Sequence, residues 1–296
     1  MKLLSFYKKA VEFGRDRDPR KNKKAINAYA DTAILYGKSD SEINKLMVGI
    51  DIESAELLLA DRIREREGLD LVVAHHPEGR AYAELSEVMK VQVDILKQVG
   101  LSREVAKKFL EERREEVKRR ILPQNHTRPI DTARLLDLPL ICIHTPADNH
   151  AFHFMKDLIK KEKPLKLRDM IDLLIDIPEY KEAARNSSGP RIILGNPARA
   201  VGKVLIEMTG GTEGPKDIYD KLYKEGVRTL LSMHLSEEHL RKVKDANLNV
   251  IIAGHISSDT LGLNLLLDRI ERSAKKKFRV VSCSGFKRVR RNGAYS

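Results

Sequence analysis

Three short segments of this chain each place histidine directly after a run of apolar residues. The first is Asp70–Gly79 (DLVVAHHPEG), in which His75 and His76 follow a predicted strand. In parallel α/β sheets, ligands bind beyond the carboxyl ends of the strands, and neutral imidazoles there suit borderline divalent metals. Taken alone, an HHP triplet is more often a polar strand cap with one histidine bonded to the backbone. The segment therefore needs support from elsewhere in the chain.

The second segment, Leu138–His150 (LPLICIHTPADNH), has a predicted strand that ends at His144 and places Asp148 four residues later. Two explanations of Asp148 stay open at this point. Thr145 can cap the following helix with Asp148 in its first turn as part of a capping box. A carboxylate whose two oxygens bind two cations explains the same position.

The third segment is Asn249–Leu263 (NVIIAGHISSDTLGL), in which His255 ends a predicted strand and Asp259 follows four residues later. Here too a structural explanation exists, since Ser258 can cap the helix and Asp259 complements its dipole. The repetition favours the metal, because three strands end in histidine and two of them are followed by a carboxylate at the same spacing. Strand ends at one edge of a sheet converge, so the sequence predicts a metal centre.

Other polar residues are weaker candidates. His126, in PQNHTRP, and His234, at the end of another predicted strand, are candidates for acid–base groups at the rim of the site, although a structural role is the simpler interpretation of each. His239 is predicted to be an exposed helical residue. The turn Thr209–Pro215 (TGGTEGP) can bind phosphate through backbone N–H groups. It matches neither the P-loop nor the dinucleotide fingerprint, so a flexible rim loop is predicted.

These candidates need a framework that brings strand ends together. Short apolar runs alternate with helical patterns, which is typical of an α/β fold with mainly parallel sheets. The predicted strands are Lys45–Ile52, Asp70–Ala74, Leu138–Ile143, Arg191–Leu194, Lys203–Met208, Val227–Leu231, Asn249–Ala253 and Phe278–Ser282. The sequence shows no internal repeat.

The predicted organisation has two lobes. Loop composition over Glu179–Pro190 places a boundary between an N-terminal α/β lobe, residues 1–180, and a C-terminal α/β lobe, residues 190–296. A charged helical insertion occupies residues 84–122. Within it, Leu85–Val99 has helical apolar spacing. Apolar positions are sparse in Ser102–Arg120, so this helix is predicted to be a solvent-facing arm, with a subunit contact as the alternative.

Composition limits the kind of protein. The formal net charge is +12, but much of it lies in local runs that resemble solvated faces, and aromatic residues make up only 5% of the 296 residues. Nucleic acid is therefore not expected as a partner. Cys142 and Cys283 form no CxxC pair, which suits a reducing compartment. No apolar stretch is long enough to span a membrane and no signal peptide is evident, so the cytoplasm is the expected location.

With these motifs in this order, the chain resembles the NIF-three-like dinuclear metal-centre proteins. Some bacterial members of that family carry the name GTP cyclohydrolase I type 2. The resemblance rests on His75–Pro77, the HTxxD segment His144–Asp148, the late segment Gly254–Asp259 and the turn Gly210–Gly211. It spans about Lys45–Arg272.

The resemblance implies a site, a fold and an assembly. The implied metal ligands are His75, His76, Asp148 and His255, with His144 as a further candidate, and Asp259 stands where the family has a glutamate. Asp259 is one methylene shorter than that glutamate. The family also implies two related α/β lobes, two divalent ions in the cleft between them and a ring-like homohexamer. Imidazole and carboxylate ligands suit Zn, Fe, Mn, Co or Ni.

Three functional hypotheses follow. The first is a dinuclear metal-dependent hydrolase, cyclohydrolase-like or phosphoesterase-like, which acts on a small anionic or purine-like substrate such as a nucleotide. The alternative is a non-enzymatic metal-handling or regulatory scaffold. The third and weakest is a nucleic-acid binder that uses the basic segment Lys275–Arg291.

Overall fold

Two β-sheets organise the chain, as the α/β prediction requires. The computed structural model describes residues 1–291, so residues 292–296 of the predicted C-terminal lobe lie outside the described residues. The first sheet has the order β1-β4-β3-β2-β9 and the second the order β5-β8-β7-β6. The strands are β1 (Thr32–Tyr36), β2 (Lys45–Gly49), β3 (Leu71–Ala74), β4 (Leu140–Ile143), β5 (Arg191–Leu194), β6 (Lys203–Glu207), β7 (Val227–Ser232), β8 (Asn249–Ile252) and β9 (Arg279–Cys283).

Helices cover and connect the sheets. Short 3-10 turns lie at Lys23–Ala25 and Lys216–Ile218. The helices are α1 (Leu3–Asp16), α2 (Ser54–Glu67), α3 (Gly79–Ala83), α4 (Leu85–Val88), α5 (Val91–Gln98), α6 (Arg103–Ile121), α7 (Arg128–Leu135), α8 (Thr145–Glu162), α9 (Leu167–Ile175), α10 (Pro178–Arg185), α11 (Tyr219–Lys224), α12 (Glu237–Asp245) and α13 (His255–Ala274). None of the helices in the described part of the chain is both long and apolar enough to cross a membrane.

The two sheets repeat one topology. In the first sheet, β1 pairs antiparallel with β4, and β4, β3 and β2 run parallel in that order. In the second sheet, β5 pairs antiparallel with β8, and β8, β7 and β6 run parallel. β9 extends the first sheet, because it pairs parallel with β2. The last strand of the predicted C-terminal lobe therefore belongs to the N-terminal sheet.

This repeat places two helices in equivalent positions. The chain enters α8 directly after β4 and enters α13 directly after β8. Each entry carries a histidine with an aspartate four residues later, first at His144 and Asp148 and then at His255 and Asp259. Residues four apart on a helix share a face. Each lobe therefore presents one histidine and one carboxylate in the same way.

The helices α8 and α13 pack against each other at the junction of the lobes, and a glycine permits their close approach. A methyl group on Gly262 of α13 would lie only 2.4 Å from the carbonyl oxygen of Ala147 in α8. Ala147 and Gly262 are both buried. The absence of a side chain at this point brings the beginnings of the two helices, and the residues they carry, within reach of one another.

The α/β fold class and all eight predicted strands are confirmed, with ends that differ by a few residues. The predicted set lacks β1, a strand at the edge of the first sheet that is buried only in its first two residues, Thr32 and Ala33. An antiparallel edge strand has neither the long apolar run of a central parallel strand nor a full alternating pattern. The predicted helix Leu85–Val99 is interrupted after Val88 and resumes at Val91 as α5.

The interpretation of α6 as a solvent-facing arm is wrong. Ala106, Leu110, Val117 and Ile121 are buried in the same core as α4, α5 and the second sheet. Arg114 is also buried: its Nε donates to the Ser86 carbonyl oxygen at 2.9 Å. Arginine side chains have long aliphatic stems that can pack in a core. Part of the buried face of α6 therefore consists of residues that are charged. The insertion thus helps to form the core.

The segment Glu179–Pro190 is not simply a loop. Pro178 occupies the first turn of α10, where its fixed φ and missing N–H are tolerated. The buried Glu179 of this helix accepts hydrogen bonds from Arg291. Arg288 similarly pairs with Asp268. These two arginines of the basic segment Lys275–Arg291 are therefore engaged within the fold, which weakens the case for nucleic-acid binding by that segment.

Candidate metal centre

Strand ends and helix starts from both lobes bring six side chains together. His75 and His76 follow β3, a strand whose four residues are all buried. The backbone before His255 turns at Gly254, where φ is +110°, a conformation that residues with a Cβ rarely adopt. The assembled residues are His75, His76, His144, Asp148, His255 and Asp259. All six sequence-predicted metal ligands thus lie in one cluster.

Asp148 lies between two histidines of the first lobe. Its Oδ1 is 3.3 Å from His75 Nε2, and its Oδ2 is 3.6 Å from His144 Nε2. Asp148 is 5% exposed and His75 is fully buried. This part of the cluster is therefore shielded from water.

Asp259 contacts histidines of both lobes. Its Oδ1 is 3.4 Å from His75 Nε2, while its Oδ2 is 3.4 Å from His76 Nε2 and 3.5 Å from His255 Nε2. Asp259 is 1% exposed. The two oxygens of this carboxylate thus face different sets of imidazoles, and Asp259 reaches them despite being shorter than glutamate.

The spacing of these atoms fits metal coordination better than hydrogen bonding. Nitrogen and oxygen in a good hydrogen bond lie about 2.9 Å apart, whereas two ligands of one tetrahedral ion, each about 2.1 Å from it, lie about 3.4 Å apart. His75 Nε2, Asp148 Oδ1 and Asp259 Oδ2 are buried and have no hydrogen-bond partner within residues 1–291. Buried polar atoms are normally paired. The residues present therefore fit divalent cations.

The other nitrogen of three rings is held by a protein acceptor. His144 Nδ1 lies 2.8 Å from Asp31 Oδ2, and His76 Nδ1 lies 2.6 Å from Asp51 Oδ1. His75 Nδ1 lies 3.1 Å from the Ile143 carbonyl oxygen. An acceptor at Nδ1 keeps the proton there and leaves the Nε2 lone pair for a metal. The Nε2 atoms are the ones that face the carboxylates.

Asp31 and Asp51 are absent from the sequence-based site. Asp31 precedes β1, the strand missing from the prediction. Its position next to β4 could therefore not be predicted from the sequence. It is fully buried and also accepts hydrogen bonds from the Thr145 backbone N–H and hydroxyl. Asp51, by contrast, lies near the carboxyl end of the predicted strand Lys45–Ile52. Ligands bind beyond the carboxyl ends of parallel strands, and this expectation, which predicts the histidines, applies to Asp51 as well.

The electrostatics of the cluster call for positive charge. Burial lowers the pKa of His75, but Asp259 and Asp148 outweigh burial and raise this pKa to about 10. Burial also lowers the pKa of His76, and Asp259 helps to raise it to about 9. Burial, only partly opposed by Asp259, lowers the pKa of His255 to about 4. Burial raises the pKa of Asp259, but the adjacent histidines hold it far below its usual range. Protons or metal ions must balance these buried carboxylates.

A cleft adjoins the cluster and gives a small molecule access to it. Its empty space is about 640 Å³ with the open mouth included, but only about 50 Å³ of this is accessible to the centre of a water-sized molecule, so the cleft is narrow. Four of the six cluster residues line it, namely His144, Asp148, His255 and Asp259. The remaining walls come from α5, from β6 and β7, and from the turn Thr209–Pro215. The cluster is thus at one end of a pocket and not sealed in the core.

The two proposed acid–base histidines lie in different places. The His234 ring lies 4.7 Å from the His255 ring and lines the cleft, and its Nδ1 is 3.6 Å from Glu213 Oε1. His126 instead packs edge-on against Tyr82 and is not among the cleft residues. The expectation that His239 is exposed is wrong. It is buried, and its Nε2 lies 2.9 Å from the Gly214 carbonyl oxygen.

The same arrangement of strands and helices occurs in solved structures. The crystal structure of a NIF3 superfamily protein from Sphaerobacter thermophilus matches this chain with a TM-score of 0.76 and 27% sequence identity, over 94% of this chain and 97% of that one. The chain is therefore similar in sequence and in fold to a NIF3 superfamily protein. Reduced HcgD from Methanocaldococcus jannaschii is 15% identical, with a TM-score of 0.55 over 95% of this chain and 97% of its own. The protein ybgI, described as of unknown function, is 16% identical, with a TM-score of 0.55 over 96% and 98%.

This similarity to a NIF3 superfamily protein confirms the resemblance drawn from the three histidine segments. The likeness to HcgD and ybgI shows a shared fold. No protein-family model matches the chain, and no curated protein matches it either. The function of this protein must therefore be argued from the cluster and its cleft.

Proposed function

We propose that the cluster binds two divalent ions and that the protein is a metal-dependent hydrolase. The observation that carries the proposal is the overlap of three ligand groups, within each of which the three donor atoms lie within 4.8 Å of one another. The groups share residues: His75, His76 and His144; His76, His255 and Asp259; His75, Asp148 and Asp259. This is more donor atoms than a single tetrahedral ion uses.

The distances favour one division of the ligands. His75, His144 and Asp148 would hold one ion, and His76, His255 and Asp259 would hold the other. Asp259 would bridge them, because its Oδ1 faces His75 while its Oδ2 faces His76 and His255. Both oxygens of Asp148 face histidines of the first group, so Asp148 is the weaker candidate for a bridge.

Two ions at such a site supply Lewis-acid polarisation of a substrate and lower the pKa of water. Protein side chains would orient the metal ligands and transfer protons. Asp31 and Asp51 fix the rings of His144 and His76, so that their Nε2 atoms stay in place. His234 stands at the rim with Glu213 beside its Nδ1, which suits a group that takes up or releases a proton at Nε2.

The cleft is the reason to prefer a hydrolase to a metal-handling scaffold, because four of the six ligands line it. The substrates to test first are nucleotides and other phosphate-bearing or purine-like compounds. A ring-like hexamer is proposed from the family alone, and mass photometry of the purified protein tests it.

The test of hydrolysis compares metal-loaded protein with chelator-treated protein on a panel of phosphoesters, nucleotides and cyclic amides. We expect turnover that requires metal and falls at least about a thousandfold in Asp259→Asn. His153→Ala is the matched control, because His153 lies on α8 away from the cluster and pairs with Arg17 and Asp157. Full metal occupancy with no turnover on any compound would favour the scaffold.

A further inference from the structure

The end of the cleft formed by β6 and the turn Thr209–Pro215 holds a glutamine amide in one orientation. Gln92 of α5 is 7% exposed, and its Nε2 donates to the carbonyl oxygens of Gly210 at 2.8 Å and Thr212 at 2.7 Å. Both acceptors are carbonyls, so the amide nitrogen must face them and Oε1 must face away. Gln92 Oε1 is buried with no partner in the described part of the chain.

A carboxylate lies beside this free oxygen. Glu207, the last residue of β6, has a buried Oε2 that no described residue hydrogen-bonds. A methyl group on Gly214 would lie 3.1 Å from Gln92 Oε1 and 3.3 Å from Glu207 Oε1. Both acceptors therefore lie close to Gly214, which has no side chain to fill the space beside them. All three residues line the cleft.

The described lining of the cleft offers these acceptors no permanently charged side chain of opposite sign. Among the described residues that line it there is no lysine and no arginine. The nearby Glu213 is already engaged by the Ser236 backbone N–H and by His239. Burial, with a contribution from Glu213, raises the pKa of Glu207 to about 7. An unpartnered buried carboxylate is unfavourable, and a donor supplied by a ligand would remove that cost.

We infer that Glu207 and Gln92 bind the edge of a planar ligand that carries two adjacent N–H donors, of the amidine or guanidine type. The two carboxylate oxygens suit paired N–H groups, and Gln92 Oε1 accepts a further N–H. Ile95, Leu96 and Met233 add apolar side chains to the lining of the cleft. The inference rests on and deepens the proposed function, because it assigns Glu207 and Gln92 in the same cleft to recognition and the metal cluster to chemistry.

The test uses three probes of one shape: benzamidine, benzamide and benzoate. Binding to zinc-loaded protein is measured by calorimetry at pH 8, where most of Glu207 is ionised. We expect benzamidine to bind more tightly than benzamide. Glu207→Gln should weaken benzamidine about tenfold or more, because it replaces a charge-assisted pair by a neutral one. Benzoate binding at the ions should not fall in this variant.

Two further variants sharpen the result. Gly214→Ala inserts a methyl group between the acceptors without removing charge, so it should also weaken benzamidine, and it carries the test if Glu207→Gln fails to fold. Glu237→Gln, an exposed glutamate of α12, controls for the loss of one negative charge and should leave benzamidine affinity unchanged.

The inference is overturned if benzamidine does not bind, or if Glu207→Gln and Gly214→Ala bind it as the wild type does. Neither result bears on hydrolysis. Conversely, benzamidine bound through Glu207 in a protein without metal-dependent turnover would overturn only the proposed function.

Discussion

The Asp31 carboxylate holds the His144 ring, with 2.8 Å between Asp31 Oδ2 and His144 Nδ1. Asp31→Asn should weaken metal binding by about 10- to 100-fold, because such partners fix the ring of a ligand and raise its basicity. Competition with a chelating dye measures this affinity. Asp137→Asn, the same change at an exposed residue, is the control. Unchanged affinity in Asp31→Asn would show that the His144–Asp31 contact has no role in metal binding.

The junction of α8 and α13 should be sensitive to a single methyl group. Gly262→Ala places that methyl 2.4 Å from the Ala147 carbonyl oxygen, so the helices must separate at a cost of about 1–3 kcal/mol. Because Asp148 and Asp259 lie near this contact on the two helices, metal affinity should fall together with the unfolding free energy. Urea denaturation and dye competition measure the two quantities.

Arg272→Ala, at an exposed position of the same helix α13, should change neither. Gly262→Ala with wild-type stability would mean that the helices accommodate the methyl without moving, which contradicts the packing argument.

Glu207 should make stability fall as the pH rises. Its pKa is about 7 in the folded protein, because of burial, against an ordinary value of 4.5 for a glutamate. Its proton is therefore bound more tightly in the folded state, and the stability this provides is present below pH 4.5 and lost through about pH 7. Glu207→Gln cannot ionise, so it should gain about 1–3 kcal/mol on the wild type between pH 5 and pH 8. Chemical denaturation with chelator present, which keeps metal occupancy constant, gives the comparison. A variant that gains nothing as the pH rises would show that Glu207 ionises freely in the folded protein.

Most of the framework could be predicted because its central strands are buried on both faces. β3, for example, is the apolar run Leu71–Ala74, whose four residues are all buried. Such a run followed by histidine predicts both the strand and the site at the end of that strand. The four-residue spacing of His144 and Asp148, and of His255 and Asp259, then places each pair on one helix face.

The parts that could not be predicted depend on partners distant in sequence. Asp31 meets His144 across 113 residues, and the edge strand that positions it has only a weak pattern. The orphaned oxygens of Gln92 and Glu207 lie in one cleft because α5 packs against the turn after β6. The burial of α6 escaped prediction because Arg113 and Arg114 contribute to its packed face.

The number of metal ions per chain tests the central claim most directly. Protein purified without chelator, or reconstituted with zinc or manganese and desalted, is measured by elemental analysis together with Asp259→Ala and the control His153→Ala. The cluster predicts about two ions per chain in the wild type and in His153→Ala, and fewer than one in Asp259→Ala, since the proposed bridge serves both ions. A wild type with less than about one ion per chain, matched by Asp259→Ala, would contradict the dinuclear centre.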